Sequence, residues 1–191
     1  MSSLRELTMP KHKEIENHPY VKYLTSGTIT PADYNVYIHV YDEIYRALEF
    51  SRFFTELPHA SKLSRLGSLY TDSIELSIDF LKQSMYDGPV TPSYLDNALF
   101  DYSSYITDTA TFDKYVAHAY VRYFGDLNGG QMIKKLIPGR GSFYDFVDAD
   151  KIKADFRPLL TPALADEVNL AFDYNIKIMD ALEKFRNEPT T

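Results

Sequence analysis

The segment 117–131, AHAYVRYFGDLNGGQ, is the stretch that says most about the fold of this chain. Apolar residues recur at intervals of three and four from position 115 to 133, which predicts one helix through the segment. The segment nevertheless contains three glycines, and each glycine in a helix interior costs about 1 kcal/mol relative to alanine. Gly125 and Gly129 lie four residues apart, so on a helix they share a face without side chains.

A bare helix face has three common explanations, which are close packing against another helix, a helix end or bend, and the close approach of a ligand to the backbone. For two glycines alone, helix packing or a helix end is together more frequent than a ligand. The neighbouring residues favour a ligand, because Asp126 lies beside the bare face and Tyr120 and Arg122 lie about one turn before it.

The rest of the chain also carries helical signals. Ser3 and Glu6 have the spacing of a capping box. A threonine suited to capping precedes a proline suited to the first helical position at 30–31, 91–92 and 161–162. Apolar residues recur with helical spacing at 34–48 and 164–182, and turn-forming residues interrupt the pattern at 18–19, 26–27, 57–58, 87–89 and 138–141. The sequence predicts an all-α fold of six to eight helices in one bundle, a single domain over 1–191 with a polar tail at about 187–191.

Composition excludes several classes of function. The chain has no cysteine, which rules out disulfides, thiolate nucleophiles and cysteine-ligated metal centres. Its net charge of -7 argues against general binding to nucleic acid. We find neither an apolar run of about 18 residues nor a secretory signal, so we expect a soluble, cytoplasmic protein without a membrane anchor.

The segment 118–131, HAYVRYFGDLNGGQ, closely resembles the signature of the haem oxygenase family, and a weaker resemblance covers nearly the whole chain. The chain departs from the family at Asn128 and Ser64, where serine and histidine are usual, and its loop 138–147 is short. The resemblance implies a helical bundle that holds haem between a proximal helix and a kinked distal helix. It also implies cleavage of haem b, as both substrate and cofactor, at its α-meso carbon by O2 and electrons from a ferredoxin or an NAD(P)H-dependent reductase. The products would be biliverdin, CO and Fe2+.

The resemblance identifies His12 as the axial ligand of the haem iron and Glu16 as its partner. One helical turn separates the two residues, so Glu16 can accept a hydrogen bond from Nδ1 of His12 and leave Nε2 for iron. On spacing alone an exposed surface pair would be the favoured interpretation, and His18, His39 and His118 are further candidates for the ligand. The proline after His18 disfavours helical geometry there, and His118 has the setting of a packed core histidine. The family resemblance selects His12.

The resemblance places cations for the two haem propionates at Lys153 and Arg157. These residues lie four apart on a predicted helix over 150–160, where like charges repel unless an anion lies between them. Arg5 and Tyr120 match two further family positions that contact propionates. The alternative for all of these residues is a solvated polar surface.

On the distal side, Asp126 matches the family carboxylate that holds water beside the iron, and Tyr45, Arg122 and Asn175 match the residues that complete its hydrogen-bond network. Ordinary core packing also accounts for Tyr45. The resemblance assigns close approach to the haem to three glycines and an aromatic ring: Gly125, Gly129, Gly130 and Phe172.

An electron-donor protein is an implied partner, and we expect it to dock on a basic surface that includes Lys11, Lys134 or Lys135. A bilin reductase that consumes the product is a further implied partner, and the protein itself is expected to be a monomer or a dimer. A non-catalytic haem carrier or sensor on the same fold is the main alternative. Asp126 and the bare glycine face favour the enzyme, because haem storage needs neither. A thiaminase-like bundle needs a cysteine, and a plain interaction domain leaves the signature unexplained.

Overall fold

The computed structural model describes residues 2–81 and 91–188. Within these ranges it contains helices and no strand, which confirms the all-α prediction. Seven helices have eight or more residues and two are shorter. Their bounds are α1 Leu4–Glu16, α2 Pro19–Leu24, α3 Pro31–Glu49, α4 Ala60–Leu63, α5 Leu66–Leu81, α6 Ser93–Thr107, α7 Phe112–Ile133, α8 Ala149–Phe156 and α9 Ala165–Asn187. Short 3-10 turns lie at Phe54–Glu56, Ser142–Tyr144, Arg157–Leu159 and Pro162–Leu164.

Local sequence signals account for two of the four predicted helix starts. Ser3 and Glu6 form both hydrogen bonds of a capping box, and Thr30 caps α3 by accepting a hydrogen bond from the amide of Asp33. The prediction that the other two threonines, Thr91 and Thr161, cap helices was wrong. Pro92 has extended dihedral angles, so α6 begins one residue late and the Thr91 hydroxyl bonds to a side chain instead. Thr161 precedes a 3-10 turn, and its side chain makes no cap bond. The predicted break at 87–89 lies outside the described residues.

The hydrophobic core is built around α3, whose predicted apolar face is completely buried. This face packs against α5 and α6, while α9 packs against α1, α6 and α7. Burial of each large side chain stabilises the fold by about 1.5–3 kcal/mol, which explains why tertiary packing determines these helices more than intrinsic propensity does. Helix α9 is therefore the element that brings α1 and α7 into one structure.

Helix α7 continues through all three glycines. Packing explains one of them, because a Cβ on Gly130 would lie 2.5 Å from the ring of Tyr144. The loop that carries Tyr144 is held by the buried carboxylate of Asp72, which accepts hydrogen bonds from the backbone amides of Ser142 and Phe143 at 2.8 and 2.9 Å. The short loop after α7 is therefore an ordered part of the core.

The helix predicted over 150–160 is shorter than expected. Helix α8 ends at Phe156, and a 3-10 turn follows because Pro158 has no amide hydrogen to continue the helical ladder. Among the described helices, none has both the length and the apolar composition required to cross a membrane.

Candidate functional site

The two glycines at 125 and 129, which we call the glycine strip, leave one face of α7 open. Among the described residues, a Cβ at Gly129 would meet nothing within 4 Å, and a Cβ at Gly125 would meet only the Arg122 guanidinium at 3.6 Å. Protein packing therefore does not require glycine at either position. Gly130 points elsewhere, into the ring of Tyr144, so the structure does not support its expected haem contact and gives it a packing role instead.

A buried group of polar side chains lies beside the strip. Asp126 is 2% exposed, and one of its carboxylate oxygens accepts a hydrogen bond from Nη2 of Arg122 at 2.8 Å. The hydroxyl of Tyr45, on α3, donates to the other oxygen. Nη1 of Arg122 donates to Oδ1 of Asn175 at 3.1 Å, and the guanidinium lies 4.3 Å from the centre of the Tyr41 ring. The fold thus brings together the four residues of the expected distal network from α3, α7 and α9.

The charges in this group stabilise one another. Burial alone would lower the pKa of Arg122, but the carboxylate of Asp126 raises it well above its usual value. Burial raises the pKa of Tyr45, and the neighbouring carboxylate raises it further, so the hydroxyl keeps its proton and acts as a donor. Nε of Arg122 is buried and has no hydrogen-bond partner within the described part of the chain.

The network extends through residues that the sequence analysis did not identify. Nδ2 of Asn175 donates to the Tyr102 hydroxyl at 3.4 Å, and that oxygen lies 3.3 Å from Nδ1 of His118. His118 is fully buried, as predicted for a core histidine, and its Nε2 lies 3.2 Å from Glu167. No local pattern marks Tyr102 or Glu167, because their partners lie far away in sequence.

Glu167 ends this chain of hydrogen bonds near the surface, with its side chain 14% exposed. The hydrogen bond from His118, followed by one from the hydroxyl of Tyr105, lowers the pKa of Glu167 from 4.5 to about 2. The carboxylate is therefore charged at neutral pH and accepts hydrogen bonds.

The predicted iron ligand lies on α1 with its ring accessible. The side chain of His12 is 50% exposed, and its Nδ1 lies 3.4 Å from a carboxylate oxygen of Glu16. The ring packs edge-on against Phe172 of α9 with their centres 5.8 Å apart. The other histidines are less suited to the role. His18 is buried between α2 and α9, with Nδ1 bonded to a backbone amide and Nε2 to a carboxylate, whereas His39 lies on the exposed face of α3.

The predicted propionate cations lie at the surface around α8. Nζ of Lys153 lies 3.0 Å from Asp150, and Arg157 is exposed just after the helix. On α7, burial raises the pKa of Tyr120, while the nearby charge of Arg5, an exposed residue of α1, opposes that shift. Both cation groups therefore remain accessible to an anionic ligand.

The expected electron-donor surface is less basic than its sequence indicates. Lys11 lies 2.6 Å from Asp173 and 3.0 Å from Glu14, and Lys134 lies 2.6 Å from Asp145. Lys135 is exposed. Because two of the three lysines have carboxylate partners, they are a weaker attraction for an acidic protein than three free cations would be.

These features fit haem as a bound ligand. A porphyrin needs a flat surface that it can approach closely, a nitrogen donor for iron and cations for its carboxylates. The glycine strip, the Nε2 atom of His12 and the exposed cations around α8 provide groups of these three kinds. At the strip, packing within the described part of the chain does not account for the presence of glycine.

Comparisons with known proteins agree with this description. The family model described as "Heme oxygenase" matches residues 1–181. Heme oxygenase 1 of Synechocystis sp. is 30% identical, with 95% of this chain and 84% of that protein covered, and heme oxygenase of Pyropia yezoensis has the same identity and coverage. The crystal structure of heme oxygenase-1 from the cyanobacterium Synechocystis sp. PCC6803 in complex with heme matches with a TM-score of 0.74 at 28% identity, covering 95% of this chain and 91% of that one. The chain therefore belongs to the haem oxygenase family.

Proposed function

We propose that this haem oxygenase binds one haem b between α1 and α7 and uses O2 and supplied electrons to open the ring at its α-meso carbon. The products are biliverdin, CO and Fe2+. The observation that carries the proposal is the position of Asp126, a buried and hydrogen-bonded carboxylate beside a helix face that protein packing leaves open. A haem carrier needs neither the carboxylate nor the open face.

On the α1 side, His12 would supply the nitrogen ligand that holds the haem iron. Glu16 lies on the Nδ1 side of the ring, which favours the tautomer whose Nε2 lone pair is free to bind iron. Phe172 supports the ring through an edge contact and borders the same space. A histidine ligand also donates less electron density than a thiolate does, and strong donation favours O–O cleavage.

The cations determine how the substrate is oriented. Lys153 and Arg157 pair with the propionates, and Arg5 of α1 and Tyr120 of α7 contribute further contacts. Because the propionates mark one edge of the ring, binding that edge determines which meso carbon lies over the strip. Orientation is thus the chain's own contribution to regiochemistry.

On the α7 side, the haem supplies the oxidative chemistry when bound, and the protein controls protons and space. Gly125 and Gly129 permit close approach from this side. Asp126 holds and passes protons through water, while Arg122 and Tyr45 fix its two oxygens. Asn175 in turn holds Arg122.

The reaction also requires partners. Electrons come from a ferredoxin or an NAD(P)H-dependent reductase that docks near the exposed edge of the haem. The open-chain tetrapyrrole then passes to an enzyme that consumes it, such as a bilin reductase, and the protein acts in the cytoplasm.

The test is to add one equivalent of haemin to the purified protein, then ascorbate or a ferredoxin–reductase system in air. We expect the Soret band to disappear, a biliverdin band to grow, and CO to be trapped by ferrous myoglobin. A Soret band that survives reductant and O2 would instead identify a haem carrier or sensor.

A matched pair of variants tests the role of Asp126. Asp126→Asn and Asp72→Asn each change a carboxylate that is 2% exposed into a side chain of similar shape, but only Asp126 borders the strip. We expect Asp126→Asn to retain haem and to lose ring cleavage by about 100-fold or more. Asp72→Asn should keep its cleavage rate per bound haem, and equal losses in the two variants would contradict the proposal.

A further inference from the structure

Two residues other than glycine have left-handed backbone angles in the described part of the chain. They are His59, with φ 58°, and Asp148, with φ 60°. Each lies immediately before a short helix, His59 before α4 and Asp148 before α8. Left-handed angles are strained for residues with a Cβ and persist where surrounding contacts hold them.

The contacts of these two residues join the same two helices. Nε2 of His59 lies 2.7 Å from a carboxylate oxygen of Asp155 in the last turn of α8, and Nζ of Lys62 in α4 lies 2.5 Å from the carboxylate of Asp148. The two contacts thus join α4 to α8 at both ends of each helix. Each helix contributes the residue that directly precedes it and one residue of its last turn. We call these four residues the α4–α8 clasp.

The geometry of α8 shows what the clasp can control. The helix buries Ile152 and Phe156, which lie one turn apart on a single line. At about 100° per residue, Asp155 lies on one flank of that line and Lys153 lies on the other, and Arg157 follows in the 3-10 turn directly after the helix. Because the fully buried side chains of α8 lie on one line, a contact on the flank adds a restraint on the roll of the helix, which is its rotation about its axis.

The roll of α8 is also coupled to the glycine strip. The ring of Phe156 packs on Phe124 with their centres 5.2 Å apart, and Phe124 directly precedes Gly125. A small rotation of α8 would therefore move two cations relative to the face on which the substrate rests.

We propose that His59 and Lys62 are positioning residues that hold the roll of α8, set the location of Lys153 and Arg157, and thereby determine which meso carbon lies over the glycine strip. This inference rests on the proposed function. It concerns regiochemistry and requires no contact between the clasp and the substrate.

The experiment compares a double variant with a matched control. His59→Gly combined with Lys62→Met removes both contacts and relieves the strained angle at 59. Lys151→Met removes the 2.8 Å ion pair between Lys151 and Asp155, which lies within α8 and does not join the two helices. Circular dichroism and the Soret band of the haem complex establish that each variant folds and binds haem.

Two measurements are made on each protein. Chromatography of the bilin products should show the minor isomers rising about two- to fivefold in the double variant, the change in a population ratio expected from loss of surface ion pairs. Hydrogen exchange of the α8 backbone amides in the haem-free protein should accelerate by a similar factor. The control should match the unsubstituted protein in both.

The results separate this inference from the proposed function. Unchanged isomer ratios in the double variant, with or without faster exchange, would overturn the regiochemical role of the clasp. An equal change in Lys151→Met would overturn it as well, since contact between the helices would then not be the cause. Absence of bilin from the unsubstituted protein would instead overturn the proposed function, while the exchange measurement would still test whether the clasp holds α8.

Discussion

The two sides of the proposed haem site differ in how far the protein completes them by itself. On the α7 side, Asp126, Arg122, Tyr45 and Asn175 are all at most 8% exposed and hydrogen-bonded to one another. On the α1 and α8 side, the predicted ligands are largely accessible, with the side chain of His12 50% exposed. One side is organised before any ligand binds, and the other presents groups that water can solvate until a ligand replaces it.

The difference follows from the cost of burying charge. A buried carboxylate or guanidinium must be paired, so removal of one distal partner leaves an uncompensated buried charge and destabilises the fold. Exposed histidine and lysine side chains contribute little to folding, because water satisfies them equally well. Substitutions on the two sides should therefore separate stability from function.

The largest effect is expected for Arg122→Met. This change leaves Asp126 as a buried charge without its cation, and the free energy of unfolding should fall by about 3–5 kcal/mol. Urea unfolding of the haem-free protein measures it. Arg157→Met, which removes an exposed cation from the other side of the site, should change stability by less than about 0.5 kcal/mol. Similar losses in the two variants would remove the distinction between the two sides.

Alanine substitutions at the neighbouring glycines 129 and 130 should change the free energy of unfolding in opposite directions. Gly130→Ala places a Cβ within 2.5 Å of the Tyr144 ring, so it should destabilise the protein by about 1–3 kcal/mol. Gly129→Ala meets no atom within 4 Å and should stabilise the haem-free protein by up to about 1 kcal/mol while weakening haem binding. Thermal unfolding with and without haem measures both, and destabilisation of the haem-free protein by Gly129→Ala would show that the open face is not where we place it.

The pH dependence of stability tests the surface end of the distal network. Because the folded pKa of Glu167 is lowered from 4.5 to about 2, its contribution is present above about pH 4.5 and is lost as the pH falls toward 2. Glu167→Gln should therefore be less stable than the unsubstituted protein at pH 6, by on the order of 1 kcal/mol, and the difference should vanish near pH 2. Urea unfolding across this range measures it, and a difference independent of pH would argue against a charged Glu167.

The smallest effect on stability is expected for His12→Ala, which should change it by less than about 0.5 kcal/mol because the ring is half exposed. The same substitution should abolish the spectrum of a histidine-ligated haem, and added imidazole should restore part of the activity. His39→Ala, an exposed histidine on α3, is the control. An unaltered Soret band in His12→Ala would point to a different ligand.

The sequence was most informative where partners are close along the chain. The spacing of apolar residues predicted the buried face of α3, and the i, i+4 relation predicted that His12 and Glu16 lie side by side. It was less reliable at helix starts, where Thr91 and Thr161 have the composition of caps without the required backbone geometry. The sequence also did not distinguish the three glycines of α7. A Cβ at Gly130 would collide with Tyr144, whereas Gly125 and Gly129 have room for one.

By itself, then, the sequence determined the helical class, the bare face of α7 and the family to which its signature belongs, because helical periodicity relates residues within one or two turns. Residue spacing cannot show which distant residues meet. The family resemblance grouped the four residues of the distal network, and the tertiary structure decided the atoms through which they bond. Tyr45 reaches Asp126 across 81 positions, and Arg122 reaches Asn175 across 53. The tertiary structure alone decided the pairing of Lys11 with Asp173 and the contact between His59 and Asp155. Such contacts depend on how whole helices pack, and burial of apolar side chains elsewhere in the core determines that packing.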